Sequence, residues 1–309
     1  SNKHYSNGCL DRTEPLRLAQ SWSGRSPTAV RQLVLAMESQ ASRILVSVCI
    51  PVFNGEAHLD PALDSVLNQT FTDIEVLAFD DGSTDGSWEL LQSRKDPRLH
   101  CHRNSQNLGP EGNWNQALAA ARGRYVKLFH QDDLLAPDCL ARQVAAMETR
   151  PEVVLAFCRR KIVDARGRLL LSRGPGWSEG KVELATAARA CALKGCNLLG
   201  EPSAVLLRTE VARAIGGFDS SIPYLVDLDY WLRMMRFGPA WYDDQPLASF
   251  RVSHRQWSAR IGLNQGQEFA RFLDRLADGP LRDHPILRGW GAVAGHLQGL
   301  MRTALYRML

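Results

Sequence analysis

From residue 44 to residue 149 the chain alternates short apolar runs of strand length with stretches whose apolar residues recur at helical spacing. This rhythm limits the fold more than any other feature. "ILVSVCI" (44–50), "IEVLAFDD" (74–81), "RLHCHR" (98–103) and "RYVKLF" (124–129) read as strands, and Pro51 is expected to break the first of them. The first is continuously apolar and rich in β-branched residues, as expected of a strand buried on both faces. Between them, "EAHLDPALDSVLNQ" (56–69), "TDGSWELLQSR" (84–94) and "EGNWNQALAAAR" (111–122) read as helices, the last stopped by Gly123. "PDCLARQVAAMET" (137–149) follows with a proline near its first turn. Strands alternating with helices give an α/β fold, a mostly parallel sheet covered on both faces.

After Pro151 the rhythm changes. "EVVLAFC" (152–158) and "RKIVDARGRLL" (160–170) read as strands around a turn at residues 165–167. "SAVLLR" (203–208) is a strand, "TEVARAIGGF" (209–218) a helix with a threonine cap and a glycine stop, and "DLDYWLRMMRFG" (227–238) another helix. No linker separates the two patterns, so one domain with two halves is expected, residues 44–150 and 151–260. An extension at 1–43, helical near 27–38, precedes it, and a helical segment at 261–309 follows.

The bulk properties exclude several classes. A chain of 309 residues can bury a large core, and a net charge of +4 is too mild to argue for a nucleic-acid partner. Seven scattered cysteines with no CxxC pair indicate neither a zinc site nor a disulfide framework, which suits a reducing, cytoplasmic setting. No apolar run is long enough to span a bilayer. In the tail, Leu287, Trp290, Ala294, Leu297, Met301 and Leu305 recur at helical spacing beside Arg288, Arg302 and Arg307. That helix reads either as docked on the domain or a second subunit, or as lying on the inner face of a membrane.

In open parallel sheets, ligands bind at the carboxyl ends of the strands. Three such ends are conspicuously polar here: "PVFNGE" (51–56), "DDGSTDGS" (80–87) and "HQDD" (130–133). Each alone has a plain structural reading. "DDGSTD" suits a turn followed by a helix cap, and acid pairs at strand ends are common.

Taken together, in this order and spacing, they resemble glycosyltransferase family 2, inverting nucleotide-sugar transferases of the A-type fold. The match is carried by "VSVCIPVFNGEAHLDPALDSVLNQTF", "FDDGSTDGS", "NLGPEGNWNQAL" and "HQDD", then by "GGFDSSIPYLVDLDYWLRM" and "PLASFRVSHRQWS". The resemblance implies a single Rossmann-like domain with C-terminal helices. It implies transfer from a nucleotide-diphosphate sugar, UDP- or dTDP-linked, to a glycan or lipid-linked acceptor, as in polysaccharide and cell-envelope biosynthesis. It also implies Mn²⁺ or Mg²⁺, because negative charge grows on the leaving diphosphate and a hard cation held by carboxylate oxygens neutralises it.

The resemblance further assigns roles by position. Pro51, Phe53, Asn54, Glu56, Asp80, Asp81 and Ser83 would form the nucleotide pocket, with Phe53 against the base and Asp81 accepting its N–H. Asp132 would lie beside the ribose, and Asp133 would hold the metal with His254. Gln131, where the family often has an acid, leaves one fewer anion there. Asp227 would be the general base that takes the acceptor proton, although acids in a helix's first turn also have a structural reading. Asn107, Glu201, Asp229 and Trp257 would line the sugar and acceptor side. The competing expectation is a nucleotide-sugar-binding protein that keeps the fold without turnover, and a homo-oligomer fits either.

Overall fold

The computed structural model describes residues 44–252 and 264–308. The expected helix at 27–38, His254 and Trp257 lie outside the described residues.

The first half follows the alternation: β1 (Val46–Val52), α1 (Glu56–Leu67), β2 (Ile74–Asp80), α2 (Ser87–Ser93), β3 (Leu99–Arg103), α3 (Gly109–Ala120) and β4 (Tyr125–Leu128). A short β5 (Leu134–Leu135) and α4 (Cys139–Glu148) close it. The second half runs β6 (Leu155–Val163), β7 (Leu169–Arg173), β8 (Gly180–Val182), α5 (Leu184–Lys194), β9 (Val205–Arg208), α6 (Thr209–Ala214), α7 (Val226–Met234) and β10 (Ala240–Arg251). Helices α8 (Gln265–Arg275) and α9 (Pro285–Met308) complete the described chain.

One sheet joins both halves in the order β3-β2-β1-β4-β9-β6-β10-β5, with β7 on β6 and β8 on β10. The first four strands are mutually parallel. β9 enters antiparallel between β4 and β6, and β6 and β10 are parallel again. Every residue of β1 and β2 is buried, as the continuous apolar runs predict. Alternate residues feed two cores. Val46, Val48, Ile50 and Val52 face α1 and α4, while Cys49, Leu77 and Phe79 face α3 and the helices of the second half. Fully burying each such aliphatic side chain stabilises the fold by roughly 1.5–3 kcal/mol.

Pro51 does not break β1. It sits inside the strand, opposite Phe79 of β2. Residues of a parallel strand point their N–H and C=O to alternate sides, and Val52 O turns to β2, accepting from Asp81 N at 2.8 Å. Pro51 therefore faces β4, where pairing has already ended at Cys49 and Leu128, so its missing N–H costs no ladder bond. Gly123 is likewise not the stop of α3, which is capped at Ala121. A Cβ at Gly123 would lie 2.6 Å from Ser47 N, so the glycine is required by close passage over β1. Thr209 begins α6 rather than capping it. Sequence periodicity misses α5, β5, β8 and β10: α5 is alanine-rich, β5 and β8 are two and three residues long, and β10 shifts register around Pro246.

Candidate active site

The polar ends of β1, β2 and β4 converge at the carboxyl edge of the parallel half. Asn54, the sole non-glycine residue with positive φ (49°) among those described, ties the first two together. Its N–H donates to Ser83 Oγ at 3.0 Å, and its Oδ1 accepts from Thr84 N at 2.8 Å. Glu56 N donates to Asp85 Oδ2 and Gly86 N to Glu56 Oε2, both at 3.1 Å. Asn54, Glu56 and Ser83 thus knit two loops into one wall. Phe53 stands out from this wall with its side chain 47% exposed, a flat apolar surface at the rim.

Asp80 and Asp81 are both buried, with different partners. Asp80 Oδ2 accepts from Ser83 N at 3.3 Å and pairs with Arg103 Nε at 3.1 Å, while its Oδ1 is buried without a partner. Asp81 Oδ1 accepts from Asn104 Nδ2 at 2.7 Å and from Leu108 N at 2.9 Å. Asn107 Nδ2 donates to Asp81 O at 2.9 Å, which ties Asn107 to the loop after β2.

The "HQDD" segment leaves β4 as a turn with four separate functions. Gln131 exchanges two hydrogen bonds with the Phe53 backbone, accepting from its N–H at 2.9 Å and donating to its carbonyl at 3.0 Å. Asp133 is fully buried; its Oδ2 accepts from Ser203 Oγ at 2.5 Å and its Oδ1 from Arg251 N at 3.0 Å. Burial, reinforced by the Asp132 charge, raises its carboxyl well above the usual range. Asp132 is only partly buried, and Arg251 Nε donates to its carbonyl at 2.9 Å. Arg251 is buried and brackets this turn through backbone carbonyls, including Ala165 O at 3.1 Å.

His130 was missed in the sequence. Its ring lies 5.2 Å from that of Trp114, its Nδ1 is 3.8 Å from Asp133 Oδ2, and its Nε2 is buried without a partner. Burial lowers its pKa, so the imidazole is neutral near pH 7. Asp132 oxygen and His130 nitrogen are donors of the kind that accept a divalent cation.

Asp227 and Glu201 meet on the other half. Asp227, in the first turn of α7, is partly buried; its Oδ2 accepts from Asn197 Nδ2 at 3.0 Å and its Oδ1 from Leu228 N at 2.7 Å. Burial raises the Asp227 carboxyl and the Glu201 charge raises it further; the two hydrogen bonds pull it back, leaving it at about 7. Glu201 pairs with the buried Arg160, whose Nη2 also donates to Asn197 O at 3.3 Å. Burial alone would raise the Glu201 carboxyl, but Arg160 and Arg173 hold it below its usual value. The Glu201 charge acts on Asp227, Asp133 and His130 alike, so this carboxylate stands electrically between the two halves. Asn197 and Arg160 carried no motif in the sequence; only the fold brings them to Asp227.

Asp229 does not join this group. Two residues from Asp227 on a helix, it faces the opposite way, pairing with Arg233 at 2.7 Å and Arg275 at 3.6 Å beside a cavity of about 360 Å³. Glu179, Asp243 and Asp244 also cluster, but Arg142 already compensates them at 2.7 Å from Asp243 and 3.7 Å from Glu179.

The model of the family described as "Glycosyl transferase family 2" matches residues 47–196. An uncharacterized protein of Mycobacterium tuberculosis is 33% identical over 204 residues, covering 62% of this chain and 62% of its own length. An Escherichia coli protein named UDP-Glc:alpha-D-GlcNAc-diphosphoundecaprenol beta-1,3-glucosyltransferase WfaP is 35% identical over 105 residues, 34% of this chain and 42% of that protein. The match thus spans less than two thirds of either relative. Among solved structures, S. aureus TarS 1-349 in complex with UDP-GlcNAc superposes with a TM-score of 0.60 at 20% identity, covering 76% of this chain and 66% of TarS. The mannosyltransferase PcManGT from Pyrobaculum calidifontis, in complex with GDP-Man and Mn2+, gives 0.58 at 18% identity, covering 94% and 86%. At these identities the superpositions establish the fold.

Proposed function

We propose that this chain, whose residues 47–196 match the glycosyltransferase family 2 model, transfers a sugar from a nucleotide-diphosphate donor, UDP- or dTDP-linked, to a hydroxyl of a glycan or lipid-linked acceptor with inversion. The observation that carries this reading is the Asp227 carboxyl in the first turn of α7, held by Asn197 Nδ2 at 3.0 Å and Leu228 N at 2.7 Å and raised to about 7 by burial. A general base works best with a pKa near the working pH. Each Asp227 oxygen has one protein donor and keeps a second lone pair, so the carboxylate can take the acceptor proton without leaving its partners. Inversion then follows from single in-line attack.

On the donor side, Phe53 packs on the base, and Asp81 is already oriented by Asn104 and Leu108 to accept the base N–H. Asp132, with His130 beside it, would hold the divalent cation, Mn²⁺ or Mg²⁺. Asp133, expected to hold the metal, is fully buried and accepts from Ser203 Oγ and Arg251 N, which supports a part in fixing the turn that presents Asp132. When bound, the cation supplies charge neutralisation for the leaving diphosphate. Support for a metal and a nucleotide sugar comes from the PcManGT complex, and support for a lipid-linked acceptor from the name of the E. coli glucosyltransferase.

The test is release of nucleoside diphosphate from a panel of nucleotide sugars with Mn²⁺ or Mg²⁺, with and without lipid-linked and soluble glycan acceptors. Transfer should be lost in Asp227→Asn while donor binding persists. Full transfer by that variant would remove Asp227 as the base. Tight donor binding without turnover across the whole panel would favour the non-catalytic alternative.

A further inference from the structure

Helix α9 packs its small residues inward and leaves its large ones outside. A Cβ on Gly291 would lie 2.9 Å from Ala192 O, and one on Gly295 2.8 Å from Phe269, so α9 seats closely on α5 and α8. On the opposite face Ile286, Trp290, Val293, Leu297, Leu300 and Met301 form one stripe, each 52% to 88% exposed. At about 100° per residue, all six fall within one side of the helix. Leu193, at the end of α5 and 53% exposed, extends the patch; Trp290 Nε1 donates to its carbonyl at 3.1 Å. So large an exposed apolar surface marks an interaction site.

Charge selects the occupant. The stripe is about 24 Å long at ~1.5 Å per residue. From residue 285 to 308 the sequence contains Arg288, Arg302, Arg307 and His296 and no acidic residue. Arg302 turns back to Tyr224 and Gln265, so it contributes field rather than contact, whereas Lys194 is exposed directly beside Leu193. An apolar helix face with Lys194 exposed at its edge and no acidic residue along the helix suits a bilayer surface bearing anionic headgroups.

We propose that the outer face of α9, with Leu193 and Lys194, seats the protein on an anionic lipid surface. The patch lies near the chemistry. Leu193 and Asn197, the partner of Asp227, are four residues apart, which the chain can separate by at most about 15 Å. A hydroxyl carried just above a bilayer is therefore within reach of the acceptor half.

The full chain is centrifuged with vesicles of phosphatidylcholine mixed with phosphatidylglycerol, and with phosphatidylcholine alone. It should sediment with the mixed vesicles, release with rising salt, and lose roughly tenfold or more in binding on Leu297→Asp or Leu300→Asp. Nucleoside diphosphate release with a soluble acceptor should be unchanged, which separates this result from any failure of the catalytic reading. In the unaltered protein, bromine-labelled lipid should quench part of the tryptophan fluorescence, and Trp290→Phe should remove that part. Absence of sedimentation with mixed vesicles, or binding indifferent to the two aspartates, would overturn the proposal. So would a dimer in sedimentation velocity that Leu297→Asp abolishes without any vesicle binding, because a second copy would then cover the face.

Discussion

Gln131 and Phe53 hold each other by two hydrogen bonds, side-chain amide to backbone, across the mouth formed by the ends of β1 and β4. The residue that stood out as a missing anion is a strut. It grips the backbone of the aromatic residue proposed to meet the base, and it needs both an acceptor and a donor to do so.

Gln131→Glu should therefore weaken the donor site despite restoring an acid, because a carboxylate cannot donate to Phe53 O. Losing such bonds costs about 1–2 kcal/mol, read as a roughly fivefold to thirtyfold rise in donor KM with little change in kcat. Gly55→Ala should have the same effect, since its Cβ would lie 2.2 Å from Gln131 Oε1. An unchanged KM in both variants would refute the strut.

Asp227 should impose a limb on the pH–rate profile at about pH 7, with activity rising as the carboxyl ionises. Glu201→Gln removes a charge that raises this group, so the limb should move to lower pH. Asn197→Ala removes a bond that favours the ionised form, so it should move to higher pH. Steady-state kcat/KM profiles for the three proteins measure both directions. The same shift has a stability sign. The folded pKa lies above the unfolded value, so stability present below about pH 4 is lost as pH rises toward 7 and is fully absent above it. Asp227→Asn should then melt higher than the parent at pH 8 while being inactive.

The neighbouring acids should separate cleanly. Asp132→Ala should abolish stimulation by Mn²⁺ and leave the melting temperature within about 2 °C. Asp133→Ala strands Ser203 and Arg251 N, a cost of about 2–4 kcal/mol, visible as a lower melting temperature. Metal dependence lost in Asp133→Ala with an unchanged melt would restore the original assignment. His130→Ala should weaken Mn²⁺ binding measured by electron paramagnetic resonance in the presence of nucleoside diphosphate.

Glu201→Ala leaves the buried Arg160 guanidinium without its carboxylate. Removing one member of such a pair costs about 3–5 kcal/mol, which chemical denaturation should report. Glu201→Ala combined with Arg160→Met should recover most of it, because the uncompensated charge is gone.

The parallel half was legible because β1 and β2 are buried on both faces and write themselves as unbroken apolar runs. The polar loops at their ends could be located for the same reason. β10 was not legible: Asp243, Asp244, Gln245 and Pro246 interrupt it, and only pairing with β6 on both sides of the shift holds it as a strand. In the site, "HQDD" announced a cluster of acids, but which carboxylate is sealed under Ser203 depends on a turn that no spacing encodes. Asn197 and Arg160 lie 37 residues apart and belong to the site through tertiary contact alone.

Pro51 has a consequence beyond sparing a bond. It lies where β1 and β4 stop pairing and begin to diverge, on the side that faces β4. Any other residue there would present a hydrogen for the neighbouring strand to capture, one more rung in the direction of closure. The cleft is a fork in a zipper, and Pro51 is the tooth that adds no rung where it opens.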